Sequence, residues 1–409
     1  MLLVGIDWAE AQHAACLVAP DGRVLRRLTI PHTPAGVRQL RDHIAAAEAD
    51  AAAVLVAIER PDGLLVEAVL AAGYTVYALN PKAVERYRGR TRTTGAKTDP
   101  TDAELLARIL LTDRDRHRPL RPDSRQAEEI RALARQDERA SRDARRFLNR
   151  LRADLLAVFP QALAAFPDLD TVAACAFLDR WPAAEQARGL TRAEIEAFLR
   201  QQRHSYPRPA AERIHAALRA ESLAAPAHLA RAKAGAIQLT AQQLRLLQRQ
   251  RAAWEKRLRE LLVGDEGHPD GEVLLSLPGL DARLAARVLG EIGDRREQFP
   301  TPANLQCYAG TAPVTKASGK ARRVTTRRAC NRFLRQALLR WAFCSLPRSA
   351  WARGFYDGQR AGGKAHFQAL RALANRWVEV LHHLLLTGQR YDERVHQRNR
   401  SKPPLPTAA

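Results

Sequence analysis

From Leu2 to Ile30 the chain shows three short apolar runs, LLVGI, AACLVA and VLRRLTI, the last two parted by a turn at Pro20-Asp21-Gly22. Runs of this length bounded by turn residues predict three neighbouring antiparallel strands. A helical stretch from about Pro34 to Ala47 leads into AAAVLVAIE, whose unbroken apolar character is that of a strand buried on both faces. A helix near Leu64 to Ala71 and a further strand, YTVYAL, continue the alternation, so the pattern predicts an α/β domain with a mixed sheet.

A basic loop from Arg86 to Lys97 follows, and its Arg86, Arg88, Arg90, Arg92 and Lys97 are candidates for phosphate contact with RNA or DNA alike. Helical spacing resumes from Asp99 to Leu111 at Leu105, Leu106, Ile109 and Leu110. A long helix from about Ser124 to Val158 carries Ile130, Leu133, Ala140, Ala144, Phe147, Leu151, Leu155 and Val158, and its length suggests a coiled-coil arm. A second long stripe, Ile237, Leu244, Leu247, Trp254, Leu258 and Leu261, offers itself as the antiparallel partner. Between them, positions 160 to 235 read as small helices, one starting at Thr191 with a capping box to Glu194. Near Gly271 a further domain begins with LLSLPGLDARLAARVLGEIGD, a helix, Pro-Gly turn and helix that resemble the helix-hairpin-helix unit presenting turn amides to a DNA phosphate. The tail from about Arg390 is expected to be disordered.

Charge narrows the partners. The 409 residues include 66 Lys and Arg against 44 Asp and Glu, a formal charge of +22, which draws polyanions and makes nucleic acid the leading candidate. No apolar run approaches the roughly 18 residues that a membrane span needs. The opening MLLVGIDWAE lacks the features of a signal peptide, so a cytoplasmic protein is expected. Cys16, Cys175, Cys307, Cys330 and Cys344 form no C-x-x-C pair and are expected as buried thiols, while the adjacent His382 and His383 lack partners at metal-ligand spacing.

Four carboxylates stand out. Asp7 ends the first apolar run and Glu59 ends the buried run AVLVAIE; a charge at the tip of a buried strand is costly unless solvated or bound to a cation. Asp99 and Asp102, three apart in KTDPTDAELLA near a helix start, can share a helix face. Taken singly, Asp99 reads equally as a helix cap ahead of Pro100, and Asp7 as a solvated strand end. Taken jointly, the four suit one or two hard cations, Mg²⁺ or Mn²⁺, which in pairs activate an attacking oxygen and stabilise a leaving one in phosphoryl transfer.

A second constellation lies in FPTPANLQCYAGTAPVTKASGKARRVTTRRACNRFLRQALL, where a basic loop follows a short helix starting at Thr301 and Pro302. From Lys316 to Arg340 there are nine Lys or Arg and no acid, among them Lys320, Arg322, Arg323, Arg327, Arg328 and Arg332. A charge run is usually a solvated face, yet one so one-sided and punctuated by Gly and Thr favours phosphate contact. Ser318, beside Gly319, is on its own residues only a loop serine, since no His lies near in sequence to activate it.

The order of an aspartate on a hairpin strand, a glutamate on a later buried strand and D-x-x-D on a helix resembles a ribonuclease-H-like core of the Holliday-junction-resolvase type. More closely, GIDWAE, IER and KTDPTDAELLA resemble the motifs of the DEDD transposases of bacterial insertion sequences, the insertion-sequence one-ten family, together with the Piv-type DNA invertases. That resemblance implies a C-terminal transposase domain whose serine follows a Y-x-G-x-x-P stretch, here Tyr308, Gly310 and Pro313, making Ser318 the nucleophile. Lys320 stands where many relatives have a second glycine. The resemblance further implies a covalent phosphoserine link to DNA, metal-bearing carboxylates supplied by a partner subunit, a homo-oligomer such as a dimer or tetramer, and targets chosen by a structured bridge RNA. The layout expected is a ribonuclease-H-like DEDD catalytic domain over 1–115, a helical coiled-coil arm over 120–265, a mainly α transposase domain over 270–390 and a disordered tail over 391–409. Two alternatives remain at this point, a junction-resolving nuclease using water and a nucleic-acid-binding protein that has lost catalysis.

Overall fold

The computed structural model describes residues 1–91, 99–318 and 321–400. The chain forms two compact units, Met1–Pro122 and Asp123–Ala409.

In the first unit the three opening strands are β1 (Leu2–Asp7), β2 (Gln12–Val18) and β3 (Val24–Pro31), followed by α1 (Pro34–Ala47), β4 (Val54–Ile58), α2 (Leu64–Ala71), β5 (Thr75–Ala78), α3 (Pro81–Thr91) and α4 (Asp99–Asp113). They build one mixed sheet of order β3-β2-β1-β4-β5, antiparallel across β1–β2 and β2–β3 and parallel across β1–β4 and β4–β5. A sheet of this kind is consistent with the ribonuclease-H-like expectation. Period-two alternation divides each central strand between two cores. Leu2, Val4, Ile6, Val54, Val56 and Ile58 pack with residues of α1 and α2, whereas Leu3, Leu55, Ala57 and Cys16 pack with Ala103, Leu106, Ala107 and Leu110 of α4. Covered on both faces, β4 is apolar throughout.

One expectation for this unit needs correcting. Arg86, Arg88 and Arg90 stand on the helix α3, not in a loop, because Val84 is the helix's apolar anchor into the sheet core. Arg92 and Lys97 lie outside the described residues, as do the side chains of Arg90 and Asp99.

The second unit opens with α5 (Arg125–Val158), capped by Ser124, whose side chain accepts from the Ala127 amide. Five shorter helices follow: α6 (Gln161–Ala165), α7 (Val172–Arg180), α8 (Ala184–Arg188), α9 (Arg192–Gln201) and α10 (Pro207–Arg219); α9 has the predicted Thr191/Glu194 capping box. Then α11 (Ala227–Leu262) returns along α5. Their pairing is antiparallel: Arg257 meets Glu129, Arg251 meets Asp137, and Lys233 meets Asp154. The small helices wrap a core of Phe159, Phe166, Phe177 and Phe198.

After the arm come α12 (Pro269–Ser276), α13 (Ala282–Ile292), α14 (Pro302–Ala309), β6 (Val314–Ser318), β7 (Ala321–Thr325), α15 (Arg332–Ser345), α16 (Ala350–Ala361), α17 (His366–Thr387) and α18 (Glu393–Arg400). Trp341 and Trp377, both fully buried and stacked at 4.9 Å, centre this core. The Pro-Gly turn between α12 and α13 packs against α15: Trp341 Nε1 donates to the Pro278 carbonyl at 3.0 Å, and a Cβ on Gly279 (φ +85°) would fall 2.6 Å from the Cys344 backbone. Packing alone therefore accounts for that glycine. Within the segment expected to be disordered, Glu393–Arg400 forms α18, and the Glu393 carboxylate accepts from Ser349 Oγ at 2.9 Å and from the Trp351 amide at 3.1 Å; residues 401–409 lie outside the described residues.

Candidate functional site

Asp7 and Glu59 each close an apolar strand. The face of β1 that meets α4 runs Leu3, Gly5 and then Asp7; the same face of β4 carries Leu55 and Ala57, and Glu59 is the residue just after that strand ends at Ile58. The strands are parallel, about 4.8 Å apart, with Ile6 beside Ile58, so Asp7 and Glu59 each follow the last paired position at the same end of the sheet. Both are partly buried. Helix α4 crosses this face antiparallel to β1: its far end is by Met1, where Arg114 reaches the sulfur, so its first turn stands at the edge that bears Asp7. Asp102 is one turn before Leu106 and is only 5 % exposed. Asp99 is the first residue of the helix.

Gly5 sets how close α4 comes. A Cβ built there would lie 1.9 Å from the Ala103 carbonyl oxygen and 2.6 Å from the Ala107 amide nitrogen, both backbone atoms that cannot swing aside. Gly5→Ala is expected to push α4 off the sheet and to destabilise the fold by on the order of 2–3 kcal/mol. Thermal unfolding of the full chain checks this, and a midpoint equal to that of the parent would refute the packing argument.

The buried Asp102 is not left uncompensated, since Arg88 of α3 approaches its Oδ1 at 2.9 Å. Arg88 is thus engaged inside the unit, while Arg86 is exposed. Among the described residues no three Asp, Glu, His or Cys side chains converge as a metal-holding group. By donor chemistry, Asp7 and Glu59 suit a hard dication that prefers oxygen ligands, while Asp102 meets Arg88 through its Oδ1.

Sequence reasoning missed the turn after Asp7. His13 is fully buried; its Nδ1 accepts from the Ala9 amide at 3.3 Å, so its Nε2 carries the proton toward His32 Nδ1 at 2.8 Å. Burial, then His32, hold the His13 pKa below its ordinary value, which keeps the ring neutral and able to accept. Arg60 lies over the Trp8 ring at 4.4 Å, tying the residue after Glu59 to the residue after Asp7.

In the second unit Ser318 ends β6 of a two-stranded hairpin and is not in a loop as expected; β-branched Val314, Thr315, Val324 and Thr325 favour the strands. Gly319 and Lys320, which separate the strands, lie outside the described residues, as do the side chains of Lys316 and Arg322. Ser318 opposes Ala321 and position 316 opposes Arg323, so alternation puts the serine on the same face as position 316 and Arg323. Ser318, Arg323, Arg328 and Arg332 are exposed and Arg327 is partly buried.

The hairpin's base is fixed by a polar network that no sequence spacing signals. Asn331 caps α15 by accepting from the Leu334 amide, and its Nδ2 donates to Glu291 at 2.7 Å and to the Tyr308 hydroxyl at 2.9 Å. Glu291 also takes a two-pronged bond from Arg135 at 2.7 and 2.9 Å. Burial raises the Tyr308 pKa, keeping its hydroxyl protonated. Gly310 ends α14 at φ +71°, where a Cβ would meet Cys330 Sγ at 2.6 Å. Tyr308 and Gly310 of the Y-x-G-x-x-P stretch thus dock on the segment leaving the hairpin. All five cysteines are free; Cys16 and Cys175 are buried as expected, and the other three are partly exposed.

A family profile described as a transposase matches residues 4–160, and one described as the transposase IS116/IS110/IS902 family matches residues 271–357. The chain is 37% identical to the mini-circle putative transposase for IS117 of Streptomyces coelicolor, over 95% of either chain. It is 30% identical to the insertion element IS110 uncharacterized 43.6 kDa protein of the same organism, over 96% of each. It is 29% identical to the insertion element IS900 uncharacterized 42 kDa protein of Mycobacterium paratuberculosis, over 92% of this chain and 94% of the relative.

Proposed function

Because the chain belongs to the IS116/IS110/IS902 family of transposases, we propose that it cuts and rejoins DNA using a carboxylate edge in its first unit and a serine hairpin in its second. As a transposase it is an enzyme of DNA strand transfer. The observation that carries the reading is the shared end of the sheet, where Asp7 and Glu59 follow the last paired residues of two adjacent parallel strands and Asp102 stands in the first turns of α4. Asp7, Glu59, Asp99 and Asp102 would hold Mg²⁺ or Mn²⁺. When bound, such ions stabilise charge on the attacking and leaving oxygens of a phosphodiester.

The chain's own residues do the rest. Arg88 holds Asp102 in place and balances its charge. His13 and the Trp8–Arg60 contact fix the backbone on which Asp7 sits. Ser318 Oγ attacks phosphorus as one sugar oxygen leaves with a proton, and a new sugar hydroxyl later displaces the serine. Arg323, Arg327, Arg328 and Arg332, with Lys316, Lys320 and Arg322, draw the DNA backbone to the serine. Arg86, Arg90, Arg92 and Lys97 are assigned to nucleic acid, which includes a structured guide RNA. Serine and carboxylates in one reaction are assigned to different subunits of a homo-oligomer.

Metal removal tests the reading. Treating the protein with chelator before adding element-end DNA should abolish strand cleavage while binding persists, and added Mg²⁺ or Mn²⁺ should restore it. Undiminished cleavage in chelator would exclude a carboxylate-held metal.

A further inference from the structure

We infer that the outer face of α5 is a track for the phosphate backbone of duplex DNA, continuous with the serine hairpin. The inference rests on the strand-transfer reading and extends it to a surface that reading does not use. Arg139, Arg142, Arg146 and Arg150 recur at spacings of three and four, which brings them to one side of a helix. That side is opposite the buried stripe of Ile130, Asp137, Ala144, Leu151 and Leu155 that faces the rest of the unit. All four arginines are exposed.

A charged helix face is ordinarily just solvated, so the balance of charge matters. Helix neighbours offer two carboxylates along the stretch: Glu138, which Arg142 shares with Arg287, and Asp143, which meets Arg146 at 3.1 Å. Exposed pairs of this kind are worth little and yield readily to a phosphate. For Arg139 and Arg150 no carboxylate partner is found among the described residues. By contrast, the arginines of the buried face, Arg251, Arg283 and Arg287, converge on Asp137, which is 1 % exposed. Cations needed for folding are paired there, and those of the outer face are left over.

Phe333 joins the stripe to the hairpin. As the second residue of α15 it follows Asn331 and Arg332, and its ring lies under Arg135 at 5.0 Å and under Arg142 at 5.8 Å. Phe333 therefore stands between Arg332, its neighbour in α15, and Arg142 of the arm, which links the two basic surfaces. From Arg139 to Arg150 the helix rises about 16 Å, which matches the backbone of roughly five B-form base pairs. DNA is the occupant because the hairpin at the foot of the track is the part that engages the strand being cut.

The test replaces Arg139, Arg142, Arg146 and Arg150 together by Gln in the full chain, with Arg188→Gln, Arg192→Gln, Arg200→Gln and Arg208→Gln as a control of equal charge. All eight side chains are exposed, so both variants should unfold at the parent temperature. With a DNA duplex of roughly 40 base pairs as probe, the stripe variant should lose at least about tenfold in affinity at moderate salt, and its log K against log salt slope should fall by about 2 to 4. The control should keep the parent slope. Equal slopes in stripe variant and parent overturn the proposal, and so does a loss seen with duplex RNA but not with DNA. Adduct formation by Ser318 is scored separately at saturating protein, so failure of the track and failure of the serine reading give different results.

Discussion

Asp7→Asn should abolish strand exchange, lowering the rate by on the order of a thousandfold or more, while DNA affinity stays within a few fold of the parent. The substitution keeps size and hydrogen-bonding capacity but removes one of the charges that face α4 at the sheet edge. A divalent cation held by carboxylates contributes several kcal/mol to phosphoryl transfer, and each 1.36 kcal/mol of lost transition-state stabilisation is tenfold in rate. Binding draws on a different source, the excess of basic residues, and one carboxylate fewer only raises the formal charge from +22 to +23. Strand exchange between plasmids in cells, with filter binding of the purified proteins, measures both quantities. Recombination at parental rates would remove Asp7 from the chemistry. Loss of both activities together would point to misfolding, and thermal unfolding of the variant separates that case.

How far the sequence alone reached depends on the range of the interaction concerned. The opening strands, the buried β4 and the capped helix beginning at Arg125 were all visible, because alternation, apolar runs and caps are written within a few residues of each other. Asp7 and Glu59 could be chosen because each ends an apolar strand. What could not be read is what meets them. Arg88 reaches Asp102 from another helix, and His13 holds the turn after Asp7 through a contact within its own hairpin whose geometry depends on burial. Gly5 looked like any glycine in a strand until α4 was found pressed on it. The Ser318 hairpin passed for a loop because its charge and glycine hid short β-branched strands. Asp137 was unremarkable among the charges of a long helix, yet it anchors three arginines from two other helices. Partners distant in sequence leave no periodic mark, so the candidate residues were legible and their supports were not.

The other large effect is expected at Ser318. Ser318→Ala should remove a covalent protein–DNA adduct entirely, because alanine leaves no hydroxyl to attack phosphorus at the exposed strand end that Ser318 occupies. The change deletes one atom from an exposed side chain at a strand end, so stability should move by less than about 0.5 kcal/mol. Denaturing gels of protein incubated with labelled element-end DNA would show the parent carrying DNA through boiling and the variant free of it. The same experiment discriminates between nucleophiles. A water-using nuclease would cleave equally with Ala at this position and would form no adduct with Ser, since the attacking oxygen would come from solvent. An adduct that persists in Ser318→Ala would move the nucleophile to another residue. Cleavage lost together with the adduct, with DNA affinity unchanged, is the result that makes this serine oxygen the group that attacks.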